Sequence, residues 1–199
     1  LIALGTAMRG RTMVLFTSHA SLRETYHAIR SPLGDAGVTV IGQGLDGSRN
    51  TLLGTFVDPE TPTMLLGTRS FWEGIDIPGE ALSCLVIPRL PFDVPTDPLF
   101  AARSERLDDA FNDLSIPQAL LRFRQGVGRL IRTRADRGII AVLDGRVMTK
   151  RYGRTFLDAL PEMTRRRAPL ADLAFIAQDW MAMEATAGRA ADAVANLAS

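Results

Sequence analysis

Five short runs of this chain are apolar almost throughout: Thr12 to Phe16, Val38 to Ile41, Met64 to Leu66, Leu82 to Ile87 and Ile139 to Leu143. A strand with one face in water alternates polar and apolar side chains, whereas a strand covered on both faces has no need to. The segments between and after these runs carry helical periodicity, over about Leu22 to Ile29, Asn50 to Phe56, Leu99 to Phe111, Pro117 to Thr133, Tyr152 to Leu160 and Leu170 to Ala187. Doubly apolar strands separated by helices predict an α/β fold, a mostly parallel sheet flanked by helices on both faces. In such sheets ligands meet the loops at the carboxyl ends of the strands, so those loops are where chemistry is to be sought.

Bulk properties exclude several classes. The chain has 199 residues, enough for one domain or one domain with an appendage, and 46% hydrophobic content can build its core. With 23 basic and 22 acidic side chains the net charge is +1, so nucleic-acid binding has to come from local patches. Lys150 is the only lysine, a bias of a GC-rich genome rather than a functional signal. The single cysteine, Cys84, sits inside an apolar run; alone it makes no internal disulfide, zinc site or iron–sulfur cluster, and it fits a reducing compartment. No apolar stretch approaches the ~18 residues of a membrane span. The first residues lack the pattern of a signal peptide. The chain does not begin with Met and reads as a piece of something longer.

The run Gln125-Gly126-Val127-Gly128-Arg129-Leu130-Ile131-Arg132 carries the strongest chemistry. If the helix continues to Thr133, at about 100° per residue it puts Gln125, Arg129 and Arg132 on one side and Leu120, Phe123, Val127, Leu130 and Ile131 on the other. The arginine fork suits bidentate recognition of phosphate oxygens, which makes a phosphoryl group the natural partner. A solvated helix face accounts for the same pattern.

Four loops follow strands. Thr17-Ser18-His19 follows the first, ahead of a Ser21-x-x-Glu24 capping box that leaves Thr17 and Ser18 free for an anion. Gly67-Thr68-Arg69-Ser70-Phe71-Trp72-Glu73-Gly74-Ile75-Asp76-Ile77-Pro78-Gly79 follows the third; its aromatic pair is core under a loop or a surface on which bases stack. Arg89 opens a proline-rich segment after the fourth, and Asp144-Gly145-Arg146, which turn chemistry also explains, follows the fifth. His27 lies mid-helix on the surface, and His19 has no evident partner for acid–base work.

The ordered set F-T-S-H-A-S-L, G-Q-G-L-D-G-S-R, L-L-G-T-R-S-F-W-E-G-I-D-I-P-G, I-P-R-L-P-F-D-V-P-T-D-P, Q-G-V-G-R-L-I-R and V-L-D-G-R resembles the second motor domain of DinG/XPD-like superfamily 2 DNA helicases, over Arg11 to Pro161. The resemblance implies a RecA-like (P-loop NTPase-type) domain over 11–165, preceded by a helix end or linker over 1–10 and followed by a helical extension over 166–199. Members bind ATP between two such domains and move along single-stranded DNA, typically 5′ to 3′. By that resemblance Arg129 and Arg132 reach the γ-phosphate with Gln125 beside them, and Gly74, Asp76 and Gly128 belong to the ATP site. Thr17, Ser18, Arg69, Ser70 and Arg89 are the DNA contacts. It also implies a bacterial cytoplasmic, nucleoid-associated protein engaged in DNA repair, with no membrane partner.

The chain departs from the family's full pattern in one respect: it has neither a G-x-x-x-x-G-K-[ST] loop nor a D-E-A-H box. ATP and Mg2+ are therefore expected to be held mainly by an N-terminal motor domain of the same polypeptide, and any iron–sulfur cluster to lie outside this chain. Alone, the chain is expected to hydrolyse ATP at background rate, with Arg129 and Arg132 facing solvent. Two other readings fit the residues, a non-catalytic nucleic-acid-binding module with a RecA-like fold and an unrelated small α/β enzyme using Asp76 or Asp144.

Overall fold

The computed structural model describes residues 1–72, 77, 81–93, 98–131 and 137–183. Its elements in chain order are α1 (Ile2–Ala7), β1 (Thr12–Leu15), α2 (His19–Asp35), β2 (Thr39–Gly42), α3 (Arg49–Val57), β3 (Thr63–Gly67), α4 (Arg69–Trp72), β4 (Cys84–Ile87), α5 (Pro98–Ser104), α6 (Ile116–Val127), β5 (Ile139–Val142), α7 (Arg146–Thr149) and α8 (Gly153–Asp158). A π-turn over Phe111–Ser115 leads into α6, and a 3-10 turn over Leu170–Asp172 leads into a helix over residues 173–183. The strands form one sheet in the order β2-β3-β1-β4-β5, with every neighbouring pair parallel. Each of the five apolar runs supplies one strand, so the predicted α/β class and parallel sheet are what the chain adopts.

Period-two alternation sorts the strand side chains into two cores. Met13, Leu15, Leu65, Leu85 and Ile87 face Phe56, Phe71, Trp72, Phe123 and Phe156 from α3, α4, α6 and α8. Val14, Val40, Met64, Leu66, Cys84 and Val86 face Leu4 of α1, Met8 just after it, and Leu22, Tyr26 and Leu33 of α2, together with Ala177. Burying side chains of this size contributes about 1.5–3 kcal/mol each. The cysteine belongs to this core, where burial pushes its thiol up to about 12, so it is a small apolar filler rather than a reactive group. Phe71 and Trp72 are core as well, and the Trp72 indole N–H donates to the Phe16 carbonyl at 3.1 Å.

Several helix ends differ from expectation: α2 runs on to Asp35 rather than ending near Ile29, and α5 stops at Ser104 rather than reaching Phe111. The cap of α2 is Ser18, not Ser21: the Ser18 Oγ accepts from the Ser21 N–H at 3.2 Å and donates to the Ser21 hydroxyl at 3.1 Å. Both serines satisfy a capping pattern locally. The earlier one wins because Phe16 is still tied to the sheet, donating to the Gly67 carbonyl, and the chain turns into the helix directly after it. The last long apolar helix of the motif region, α6, stops at Val127 rather than running to Thr133. Beyond it Arg129 and Leu130 donate to the carbonyls three residues back, a tightened turn that drops Leu130 into the core.

Candidate phosphate and nucleic-acid interface

The loops after β1, β2 and β3 meet at one edge of the sheet. After β2, Asp46 pins the turn, its carboxylate accepting from the Gly42 N–H and the Tyr26 hydroxyl, both at 2.8 Å. Burial first, and then the Asp46 carboxylate, raise the Tyr26 phenol, keeping that donor protonated. The pinned turn sets Gln43 toward the β3 loop. The Gln43 Oε1 accepts from the Thr68 N–H at 2.8 Å and the Thr68 hydroxyl at 2.9 Å, while its Nε2 donates to the Ser70 Oγ at 2.9 Å. The Thr68 Oγ1 also lies 3.2 Å from the His19 Nε2 at the start of α2. Gln43 and Thr68 lie within the quoted motifs but carry no assigned role there, and His19 has the partner that the sequence did not reveal.

Beside this cluster a cleft of ≈ 400 Å³ opens between the ends of β1 and β4. Thr17 and Arg89 line it, with Ser21, Glu24 and Thr25 of α2 on the far wall. Thr17, Ser70 and Arg89 are exposed. Ser18, expected to be free, spends its hydroxyl on the α2 cap. The backbone of Arg69 opens α4.

The end of α6 reaches the same edge. Gly126 lies so close to the Trp72 ring that a Cβ there would stand 2.7 Å from it, and 3.2 Å from Leu15 at the end of β1. That approach seats the last turn of α6 against the loop after β3 and carries Gln125 with it. The Gln125 Oε1 is buried and has no hydrogen-bond partner among the described residues. An amide oxygen in that state has acceptor capacity to offer a ligand donor. Gly128 caps the helix in right-handed geometry. Arg129 does not face solvent as expected: it is half-buried, its Nε is withdrawn from water and it is engaged within the chain. The cause is the tightened turn, which carries Arg129 down with Leu130. The helix ends between Gln125 and Arg129, so the regular helical face expected for this pair stops at Val127. Arg132, Gly74 and Asp76 lie outside the described residues.

The exit of β5 differs in kind. Asp144 is buried, accepting from the Leu90 N–H at 2.9 Å and the Arg146 N–H at 3.0 Å, and it pairs with the Arg146 guanidinium at 2.6 Å. Burial alone would raise its carboxyl, but the Arg146 and Leu90 donors outweigh that and hold it below the usual range. Arg146 also covers the Phe92 ring at 5.3 Å. Asp144 is thus a structural tie with no lone pair left for acid–base work. Among the described residues no three His, Cys, Asp or Glu side chains group as metal ligands, and no helix is long and apolar enough to cross a membrane.

A parallel sheet with polar loops gathered at its carboxyl edge, and an arginine-bearing helix end beside them, has the architecture of a RecA-like motor domain. The model of the helicase C-terminal domain family matches residues 1–163, and the chain belongs to that family, of the DinG type. It is 43% identical over 156 residues to a Bacillus subtilis protein named 3'-5' exonuclease DinG, covering 76% of this chain and 17% of that one. It is 42% identical over 171 residues to a Haemophilus influenzae ATP-dependent DNA helicase YoaA, covering 84% of this chain and 26% of the relative. The chain thus spans about a quarter or less of the length of these relatives. A solved structure of S. cerevisiae Dbp5 bound to RNA and ADP BeF3 shares the fold at a TM-score of 0.54 and 17% identity, over 89% of this chain and 39% of that one.

Proposed function

We propose that this chain is the C-terminal half of an ATP-dependent DNA helicase motor. It supplies arginines to an ATP held against an N-terminal motor domain and contacts to the single strand along which the motor moves, 5′ to 3′. The observation that carries this reading is the convergence at one sheet edge: Thr17 and Arg89 share a cleft, Ser70 is wired through Gln43 and Thr68 to the start of α2, and α6 ends against the same loops. Residues that touch phosphates on a strand and residues that touch a nucleotide are then close enough for one to report to the other.

Bound ATP with Mg2+ supplies the phosphoanhydride whose hydrolysis drives movement. This chain's part is electrostatic. Gln125 offers its unpartnered Oε1 to a ligand donor, Gly128 ends α6 without a side chain, and Arg129 and Arg132 bring positive charge to the transferring phosphoryl group. A guanidinium in that role contributes ~10³–10⁵ in rate. Gly74 and Asp76 belong to the connection between nucleotide and DNA. Thr17, Ser70, Arg69 and Arg89 hold strand phosphates, which positions the strand without reading its sequence, and Ser18 keeps the α2 start in place beneath them. The magnesium carboxylates and any iron–sulfur cluster belong to the rest of the polypeptide. We place the protein in the bacterial cytoplasm, at the nucleoid, in DNA repair.

The deciding experiment substitutes Arg132→Ala and Arg129→Ala in the complete two-domain motor. DNA-stimulated ATP hydrolysis is expected to fall by about 10³-fold or more for each, with nucleotide affinity and melting temperature little changed. Hydrolysis near the wild-type rate in both variants would refute the assignment.

A further inference from the structure

The hydrogen bonds around Gln43 have only one consistent direction. The backbone N–H of Thr68 can only donate, so the amide atom 2.8 Å from it must be the carbonyl oxygen, which fixes which way the Gln43 amide points. The Thr68 hydroxyl, 2.9 Å from that same oxygen, must therefore donate to it. Having donated its proton, the Thr68 Oγ1 can only accept from the His19 Nε2, which must carry hydrogen. On the other side the Gln43 Nε2 is a donor, so the Ser70 Oγ accepts and its own proton is left to donate elsewhere. Ser70 is exposed, so that proton points to whatever lies on the surface.

We infer that Gln43 is a positioning residue that makes Ser70 a phosphate donor: its amide occupies the acceptor side of the Ser70 hydroxyl and leaves the O–H for a strand phosphate. The same amide consumes the Thr68 hydroxyl, so Thr68 ties loops together and takes no part in binding. One side chain from the β2 loop thereby decides which of two neighbouring hydroxyls meets the strand. The inference rests on the proposed strand-binding role of this edge and adds to it a residue with no phosphate contact of its own.

Gln43→Glu keeps the acceptor for Thr68 but replaces the Nε2 donor by a second acceptor. The Ser70 hydroxyl then turns inward to donate, and the outward proton is lost. Binding of a fluorescein-labelled oligo-dT to the chain at low salt, read by anisotropy, is expected to weaken about fivefold for Ser70→Ala and at least as much for Gln43→Glu. In the double variant the loss should be clearly smaller than the product of the two single losses, because part of the Gln43→Glu effect acts through Ser70. Melting temperatures of all variants locate any loss of fold. A merely structural Gln43 would weaken binding by the same factor whether or not Ser70 is present, and that multiplicative result overturns the inference, as does an unchanged affinity for Ser70→Ala. Arg89→Ala and Thr17→Val separate the two levels of the argument. If they weaken binding while Gln43→Glu and Ser70→Ala do not, the inference falls and the strand-binding role stands. If none of the four changes affinity, the edge is not the strand-binding surface and both fall.

Discussion

The loop after β5 and the loop after β3 look alike on paper, a few residues of glycine, acid, arginine and hydroxyl after an apolar strand, yet they have opposite economies of hydrogen bonding. At the β5 exit Asp144 takes the Leu90 N–H, the Arg146 N–H and the Arg146 guanidinium, and Arg146 lies over Phe92. The Asp144 carboxylate has no acceptor capacity left over. At the β3 exit the hydrogen bonds run toward the surface and end on Ser70, with Thr17 and Arg89 exposed nearby. The difference teaches that charge in a strand-end loop marks a binding site only when the loop's own partners leave capacity unused. A closed network stabilises; an open one leaves donors and acceptors for a ligand.

The largest expected effect comes from opening the closed side. Asp144→Ala leaves the buried Leu90 N–H without its partner and frees Arg146, at a cost of about 3 kcal/mol in unfolding free energy by urea titration. DNA affinity should stay within twofold. The pH dependence has a definite sign. The folded-state carboxyl is depressed, so its contribution is fully present above the unfolded value of about 3.9 and is lost as pH falls through that value toward the folded one. The wild type should therefore lose stability below about pH 4 more steeply than Asp144→Asn. Equal acid slopes in the two proteins would mean that Asp144 is not the tie it looks to be.

The next effect tests the joint between the two regions. Gly126→Ala puts a methyl group 2.7 Å from the Trp72 ring. Overpacking of this kind costs about 1–3 kcal/mol when ring and helix must part. Trp72 sits with its N–H on the Phe16 carbonyl, so a shift of the ring disturbs the chain just before Thr17. The variant is expected to be destabilised by about 2 kcal/mol, to change the Trp72 fluorescence, and to weaken DNA binding as well. Loss of stability with unaltered binding would uncouple α6 from the strand-binding edge.

Much of this organisation was legible in the chain itself, for a physical reason that also marks the limit. Parallel strands are buried on both faces, so Met13 to Leu15 and Cys84 to Ile87 are apolar throughout and stand out whatever surrounds them. Phe71 and Trp72 were ambiguous between core and stacking surface, and only the helix packed over them decides for core. The overextension of α6 came from Leu130 and Ile131, which continue the apolar period but are seated equally well by a tightened turn. The capping serines 18 and 21 each satisfy a local rule, and the choice between them depends on a sheet hydrogen bond from Phe16 to Gly67. Gln43 belongs to a quoted motif, but its role left no local trace, because its partners Thr68 and Ser70 lie 25 and 27 residues further on. Residues grouped by a local motif stand out in the chain; those joined only by closure across three loops do not.

The smallest effect on the fold is the sharpest test of the open side. Arg89 is exposed at the mouth of the cleft it shares with Thr17. Removing an exposed side chain there should change stability by no more than about 0.5 kcal/mol. If its guanidinium meets a strand phosphate, Arg89→Ala lowers the affinity for single-stranded DNA by severalfold at low salt. It also makes the slope of log affinity against log salt shallower by about 0.7, the value for one phosphate contact on a single strand. Affinity and salt slope have to change together. A weaker variant with an unchanged slope would place Arg89 against a base or a neighbouring loop instead of a phosphate. An unchanged affinity would move this side chain from the open network to the same structural category as Arg146, and the contrast between the two loops would then rest on Thr17 and Ser70 alone.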